Sequence, residues 1–168
     1  MAKTGKRSKK DASSTDAIAL LTNDHQEVKE LFEQYKELAE SDTDDEARKD
    51  LAEEICTMLT VHTTIEEELF YPAARDAIDD DSLLNEAEVE HQSAKDLIAQ
   101  IQASDPTDPL YDAQVNVLGE YVNHHVQEEE GELFPKLQEA DLDLEQLGAE
   151  MSARQEELLS AEAEVEVK

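Results

Sequence analysis

HTTIEEELFYP, residues 62–72, decides how this chain is read. His62 and Glu66 lie four residues apart, so on a helix their side chains leave the same face and can hold one ion between them. The arrangement returns 63 residues later as HVQEEEGELFP, residues 125–135, with His125 and Glu129 at the same spacing and a proline again ten residues after the histidine. Each stretch follows a second echo. DHQEVKEL at residues 24–31 matches EHQSAKDL at residues 90–97 and puts His25 and His91 in register. The chain is a doubled unit, a histidine helix followed by a histidine-plus-carboxylate helix, and all five histidines fall inside it.

Outward from these stretches, apolar residues recur at steps of three and four. Ile18, Leu21, Val28, Phe32, Tyr35 and Leu38 form a first stripe that includes His25, with N-cap candidates at residues 13–16. Thr43 with Glu46 reads as a capping box for a second helix, whose stripe runs Leu51, Ile55, Met58, His62, Glu66 and Leu69 towards Pro72. Ser82 is the expected cap of a third helix with Leu84, Ala87, His91, Ala94, Ile98 and Ile101 inward. Asp108 and Pro109 open a fourth, with Leu110, Gln114, Val117 or Leu118, Tyr121, His125 and Glu129 inward. Similar lengths and short loops predict an all-α fold, an up-down-up-down four-helix bundle. Leu144, Leu147, Met151 and Leu158 predict an extra C-terminal helix that caps the bundle, makes a dimer contact or frays. The expected divisions are a disordered basic tail over residues 1–15, the bundle over 16–140, and over 141–168 the C-terminal helix with an acidic tail, AEAEVEVK, read as disordered.

At 168 residues the chain suits one domain with a substantial core. Only 4% of it is aromatic against 39% hydrophobic, which favours helices packed through aliphatic side chains. The net charge is -30, and five of the 14 basic residues crowd the first ten positions, so the body is more acidic still. Such a body repels nucleic acid phosphates and anionic membranes, so neither is an expected partner. A single cysteine, Cys56, excludes an internal disulfide and fits a reducing compartment. The basic start is followed by DASSTD where a secretory leader needs an apolar run, and no stretch approaches membrane-spanning length. These features predict a cytoplasmic monomer or homodimer.

A lone histidine on an apolar stripe is ordinarily a core residue with a hydrogen-bond partner. Four of them, one per helix, with two carboxylates each one turn after a histidine, call for a counter-charge, because buried ionised groups persist when paired or metal-bound. The predicted ligands are His25, His62, Glu66, His91, His125 and Glu129. His124 points about 100° away from His125 on a helix and is expected behind the ligands or at the surface. Glu67, Glu68, Glu128, Glu130 and Glu132 read as mostly solvated. Imidazole with carboxylate suits iron, zinc or manganese better than calcium. Two acids reaching between two groups of histidines suit a bridged pair of ions, and iron is preferred because a structural zinc site needs only four ligands.

The set His25, His62-Thr63-Thr64-Ile65-Glu66, His91 and His125-Val126-Gln127-Glu128-Glu129, with LFYP and ELFP following, resembles the hemerythrin family in its bacterial HHE cation-binding branch. The resemblance implies a non-haem centre of two iron ions, bridged by Glu66 and Glu129, with the four histidines as terminal ligands. Oxygen carriers of that family place a further histidine four residues after the third-helix one, where this chain has Lys95. Lys95 is expected to donate a proton or hydrogen bond near the metal or to snorkel at the bundle edge. The implied function is binding or sensing of dioxygen, a related small molecule or iron, without catalysis. The alternative is a di-iron enzyme acting on peroxide, nitric oxide or ferrous iron, and a third possibility is a zinc-stabilised interaction module.

Overall fold

The computed structural model describes residues 16–41 and 44–166. Helix α1 (Ala17–Glu40) starts where the Asp16 carboxylate accepts a hydrogen bond from the Ala19 amide at 2.8 Å. Helix α2 (Asp45–Ile65) starts at Asp44, whose side chain accepts from the Glu46 amide; Thr43, the expected cap, lies outside the described residues. The same rod continues through a π-helical segment, Glu66–Phe70, into α3 (Tyr71–Ala77). Helix α4 (Asp81–Gln102) begins one residue before the expected Ser82 cap, with Asp80 in the capping position. The fourth rod repeats the second: α5 (Tyr111–Glu128), a π-helical segment Glu129–Leu133, and α6 (Phe134–Glu139).

That fourth rod starts later than Asp108 and Pro109 predict, because Asp108 closes a turn instead, accepting the Leu110 amide at 2.8 Å. The inward stripe is accordingly Tyr111, Val115, Leu118, His125 and Glu129, one residue out of step with the expected one in its first half. Leu110 and Tyr121, expected inside, are 62% and 48% exposed. The other three stripes face inward as their spacing predicts: all six residues of α4 are buried, while Phe32, Leu38, Met58 and Leu69 on the first two rods are half-buried at the edge of the core. Among the described residues the fold is all-α, a four-helix bundle with an extra C-terminal helix, α7 (Leu144–Glu166). Helix α1 packs on α2 and α5, and α4 packs on α5 and α2, closing the square. Helix α7 lies along α1 and α2, burying Leu147 and Met151, and stays helical to Glu166, through most of the segment read as a disordered tail.

The core has two apolar halves. One gathers Leu21, Ile65, Phe70, Tyr71, Leu84, Phe134, Leu137 and Met151, and the other Tyr35, Ile55, Cys56, Leu59, Ile98, Tyr111 and Leu118. Buried Asp24, His25, His62, Glu66, His91 and Glu129 belong to neither half. Burial pushes the Cys56 thiol up to about 12, which fits its reading as a small packing residue. Among the described residues no helix is long and apolar enough to cross a membrane.

The end of the bundle beyond the second half is tied by charge. Arg48 donates to both oxygens of Asp112 at 2.8 and 2.9 Å, and the Tyr35 hydroxyl donates to the same carboxylate at 2.5 Å, joining α1, α2 and α5. Asp112→Ala leaves the half-buried guanidinium and phenol without that acceptor. The expected loss is about 1–2 kcal/mol, reduced by solvent screening of a partly exposed carboxylate. A lower urea midpoint with cation binding intact would show it.

Candidate metal centre

Each predicted ligand is set by its helix. His25 continues the buried stripe of α1 from Leu21 to Val28, and His91 that of α4 from Ala87 to Ala94. His62 and His125 stand in the last turns of α2 and α5, and Glu66 and Glu129 open the two π-helical segments. All six side chains converge on one place. Two groups of donors form there, His25, His62, Glu66 and Glu129 in one, Glu66, His91 and His125 in the other.

The two carboxylates divide their oxygens between the groups. Oε1 of Glu66 lies 3.0 Å from His62 Nε2, and its Oε2 lies 3.0 Å from His91 Nε2. Oε1 of Glu129 lies 3.4 Å from His25 Nε2, and its Oε2 lies 2.9 Å from His125 Nε2. In the first group three buried atoms, His25 Nε2, Glu66 Oε1 and Glu129 Oε1, make no hydrogen bond. Buried polar atoms are nearly always satisfied, so lone pairs converging this way call for a cation. The donor set fits: neutral imidazole with carboxylate suits first-row divalent and trivalent ions.

Behind each imidazole stands another acid. The second ring nitrogen, Nδ1, faces Glu130 at 3.0 Å in His25, Asp24 at 3.0 Å in His62, Glu67 at 3.5 Å in His91 and Glu90 at 3.2 Å in His125. In His25, His62 and His125 a carboxylate hydrogen-bonded to Nδ1 favours the tautomer that carries its proton there, leaving the Nε2 lone pair free for a metal and making it more basic, whereas His91 Nδ1 makes no hydrogen bond. The pattern is two-fold, like the sequence. Glu67 and Glu130 each follow an inner acid, and Asp24 and Glu90 each precede a histidine. Glu67 and Glu130, expected to be mostly solvated, remain partly exposed yet also face ring nitrogens of the cluster, and Asp24 and Glu90 carried no expectation. Their one signal was the internal repeat, which matches acid with acid at both pairs of positions.

Of the remaining candidates, His124 is 65% exposed at its side chain and pairs with Glu128 on the surface, outside the cluster. Lys95 reaches Glu67 at 2.6 and 2.8 Å, so it acts on His91 only through that acid. On the opposite side, Gln155 of α7 donates to both oxygens of Asp24 at 3.3 and 3.2 Å, so the C-terminal helix steadies the acid behind His62.

Tyr71 was also missed. It is 1% exposed, and its hydroxyl lies within 3.2 Å of Glu66, Glu129, His91 and His125. The π-helical turn puts it there: the Tyr71 amide bonds the Glu66 carbonyl, whereas on a regular helix the fifth residue on points about 140° away. Pro72 has no amide hydrogen to continue a regular ladder past this point. In the second repeat the same turn carries Phe134, stacked on His25 with centroids 6.0 Å apart and planes 3° apart.

Without a cation, protons hold the charges together. Burial works against a charged His62, but the Glu66 and Asp24 carboxylates outweigh it and raise the imidazole from 6.5 to about 10. Burial likewise opposes ionised Glu66, yet His62 and His91 hold it well below 4.5. A raised histidine stabilises the fold fully below pH 6.5 and loses that contribution as pH rises through about 10. A depressed carboxylate stabilises it above pH 4.5 and loses that contribution as pH falls through its folded value. The cation-free protein is expected to be most stable between about pH 4.5 and 6.5. Urea midpoints measured across pH in chelator would show a maximum there.

Four antiparallel rods enclosing a buried histidine and carboxylate cluster define a helical-bundle metal-binding protein. The chain belongs to the hemerythrin HHE cation-binding domain family, whose model matches residues 16–137. It is 29% identical over 126 residues to an uncharacterized protein of Mycobacterium tuberculosis, a match covering 73% of this chain and 76% of that one. A crystal structure of a hemerythrin HHE cation-binding domain-containing protein from Mycobacterium kansasii superposes with a TM-score of 0.71 at 26% identity, covering 87% of this chain and 88% of that one. A protein of Nostoc sp. described as a DNA nickase is 32% identical over 126 residues, but this chain spans only 34% of its length.

Proposed function

We propose that the chain is a non-haem di-iron protein that binds or senses dioxygen, a related small molecule or iron in the bundle core. The observation that carries this reading is the division of Glu66 and Glu129 oxygens between two donor groups, which suits two bridged ions better than one. His25, His62, His91 and His125 complete the assigned ligand set, and zinc or manganese would fit the same donors. A cavity of about 30 Å³ adjoins the four histidines and is walled in part by Val28, Met58, Leu59, Ala94 and Val122. Its size admits a small molecule, and its apolar wall limits water.

When bound, the iron pair would supply reversible one-electron chemistry and an open position for such a molecule. The residues of the chain hold the pair, fix the histidine tautomers and keep solvent out. The second reading, a di-iron enzyme acting on peroxide, nitric oxide or ferrous iron, is favoured by the Tyr71 phenol, a buried proton donor among the proposed ligands. Metal analysis with visible spectra of reduced and air-exposed protein tests both. Two irons with a reversible oxygen-dependent band support binding, sustained peroxide turnover supports the enzyme, and a colourless zinc protein removes both.

A further inference from the structure

We propose that Glu90, His124 and Glu128 form a second, outer cation site for a first-row divalent ion, the point at which cations enter the buried centre. The entry role rests on the reading of the inner cluster as a metal centre; the outer site does not. The three side chains, carried by α4 and α5, each offer a donor atom within 4.8 Å of the other two. His124 Nε2 stands 3.2 Å from Glu128 Oε1. Two donors bonded to one ion at ~2.1 Å stand about 3.0–3.4 Å apart, so this pair already has the spacing of a shared ion. His124 is exposed and Glu128 half-buried, and a turn of either closes the remaining gap to Glu90. One imidazole with two carboxylates suits zinc, manganese or ferrous iron, with water in the other positions.

The outer pair is the inner one moved by a single residue. His124 and Glu128 repeat the four-residue spacing of His125 and Glu129, so the same rod presents one histidine and carboxylate step to the core and one to solvent. The internal repeat does not demand this. The matching positions 63 residues earlier hold Val61 and Ile65, both buried, where α7 packs along α2. The acids behind the histidines differ in the same way. Asp24 has both oxygens satisfied by the Gln155 amide of α7, whereas its counterpart Glu90 gives Oε2 to His125 Nδ1 and meets His124 and Glu128. An amide satisfies a carboxylate by donating to it. A second ionised carboxylate cannot, and a cation satisfies both.

The outer and inner groups share a wall. Glu90 and Glu128 line a crevice of about 10 Å³ together with His125 and Glu129 of the buried cluster. Glu129 is buried and its Oε1 makes no hydrogen bond, so the residue that follows Glu128 in the chain holds an unsatisfied acceptor for an incoming ion. Glu90 belongs to both groups, behind His125 and beside His124.

The test uses the full chain, stripped of metal by chelator, titrated with zinc at neutral pH and followed by nitrogen-15 spectra of the histidine rings. These report each imidazole separately and do not respond to zinc scattered over surface acids. The rings of His25, His62, His91 and His125 are expected to respond first, and His124 Nε2 then to shift and saturate with one further zinc. Glu128→Gln should weaken that later step by about tenfold or more and leave the inner four responses unchanged. When zinc is supplied from a coloured chelator, His124→Ala should fill the inner centre several-fold more slowly, to the same final occupancy. Equal filling rates would overturn the entry role. A His124 ring unmoved after the inner four have saturated would overturn the outer site and leave the buried centre standing. A His124 ring that responds while the inner four do not would overturn the buried centre, and the entry role with it, and keep the outer site.

Discussion

For the proposed pair of ions, Glu66→Ala is expected to strip the protein of both, whereas His62→Ala is expected to weaken chiefly one. The difference follows from the shared carboxylate: Glu66 offers Oε1 beside His62 and Oε2 beside His91, so its loss opens both donor groups at once. His62 touches only the first. Removing Glu66 also leaves His62 and His91 facing a buried void with only Asp24 and Glu67 behind them, and breaking a buried ion pair by removing one partner destabilises by roughly 3–5 kcal/mol. Metal analysis of purified variants should give near-zero occupancy for Glu66→Ala and Glu129→Ala, and a partial loss for His62→Ala or His125→Ala. Wild-type occupancy in Glu66→Ala would mean that the ions, if bound, are held elsewhere.

Removing the cations from the unaltered chain should lower its thermal midpoint by an amount on the order of 10 °C. A ligand that binds only the folded state at about a thousand times its dissociation constant stabilises by roughly 4 kcal/mol. In a domain of this size each kcal/mol moves the midpoint by about 2–4 °C. The shift should shrink as pH falls below neutrality. His62 and His125 carry protons in the cation-free fold, His125 because Glu129 and Glu90 overcome the opposing effect of burial, and a cation must displace those protons. Calorimetric scans with and without chelator, at two pH values, measure both effects. A chelator-insensitive midpoint would remove the cations from any structural role.

The bundle was legible because its stripes were dense: Leu84, Ala87, His91, Ala94, Ile98 and Ile101 leave little choice of face. The fourth rod was read less well because its sequence offers apolar residues on two adjacent faces. Tyr121 lies exposed and Val122 packs against the core in its place, while Leu118, one of the two residues the spacing offered, is buried. The inner ligands were legible because helical spacing and the repeat agree on them. The outer acids were not, since a run of glutamates reads the same whether a neighbouring helix presents an imidazole or water. Glu67 and Glu68 are adjacent, yet one faces His91 and the other pairs with exposed Arg154. Tyr71 was hidden for a different reason. Spacing arguments assume 3.6 residues per turn, and the π-helical turn at Glu66 departs from that within a single element. The contact from Gln155 to Asp24 joins residues 131 apart and leaves no local trace.

The ring of imidazoles and acids has a consequence for cooperativity. It lies between the apolar cluster around Phe70 and Phe134 and the one around Tyr35 and Tyr111, so across that seam attraction between oil-like surfaces is replaced by ionic contacts. With cations in place the seam acts as a clasp, and the two ends should melt as one. Emptied, it leaves them coupled mainly through continuous helical backbone, and local opening follows the least protected boundary. Amide hydrogen exchange should then resolve two zones of different protection on either side of His25, His62, His91 and His125, which merge into one when the ions return.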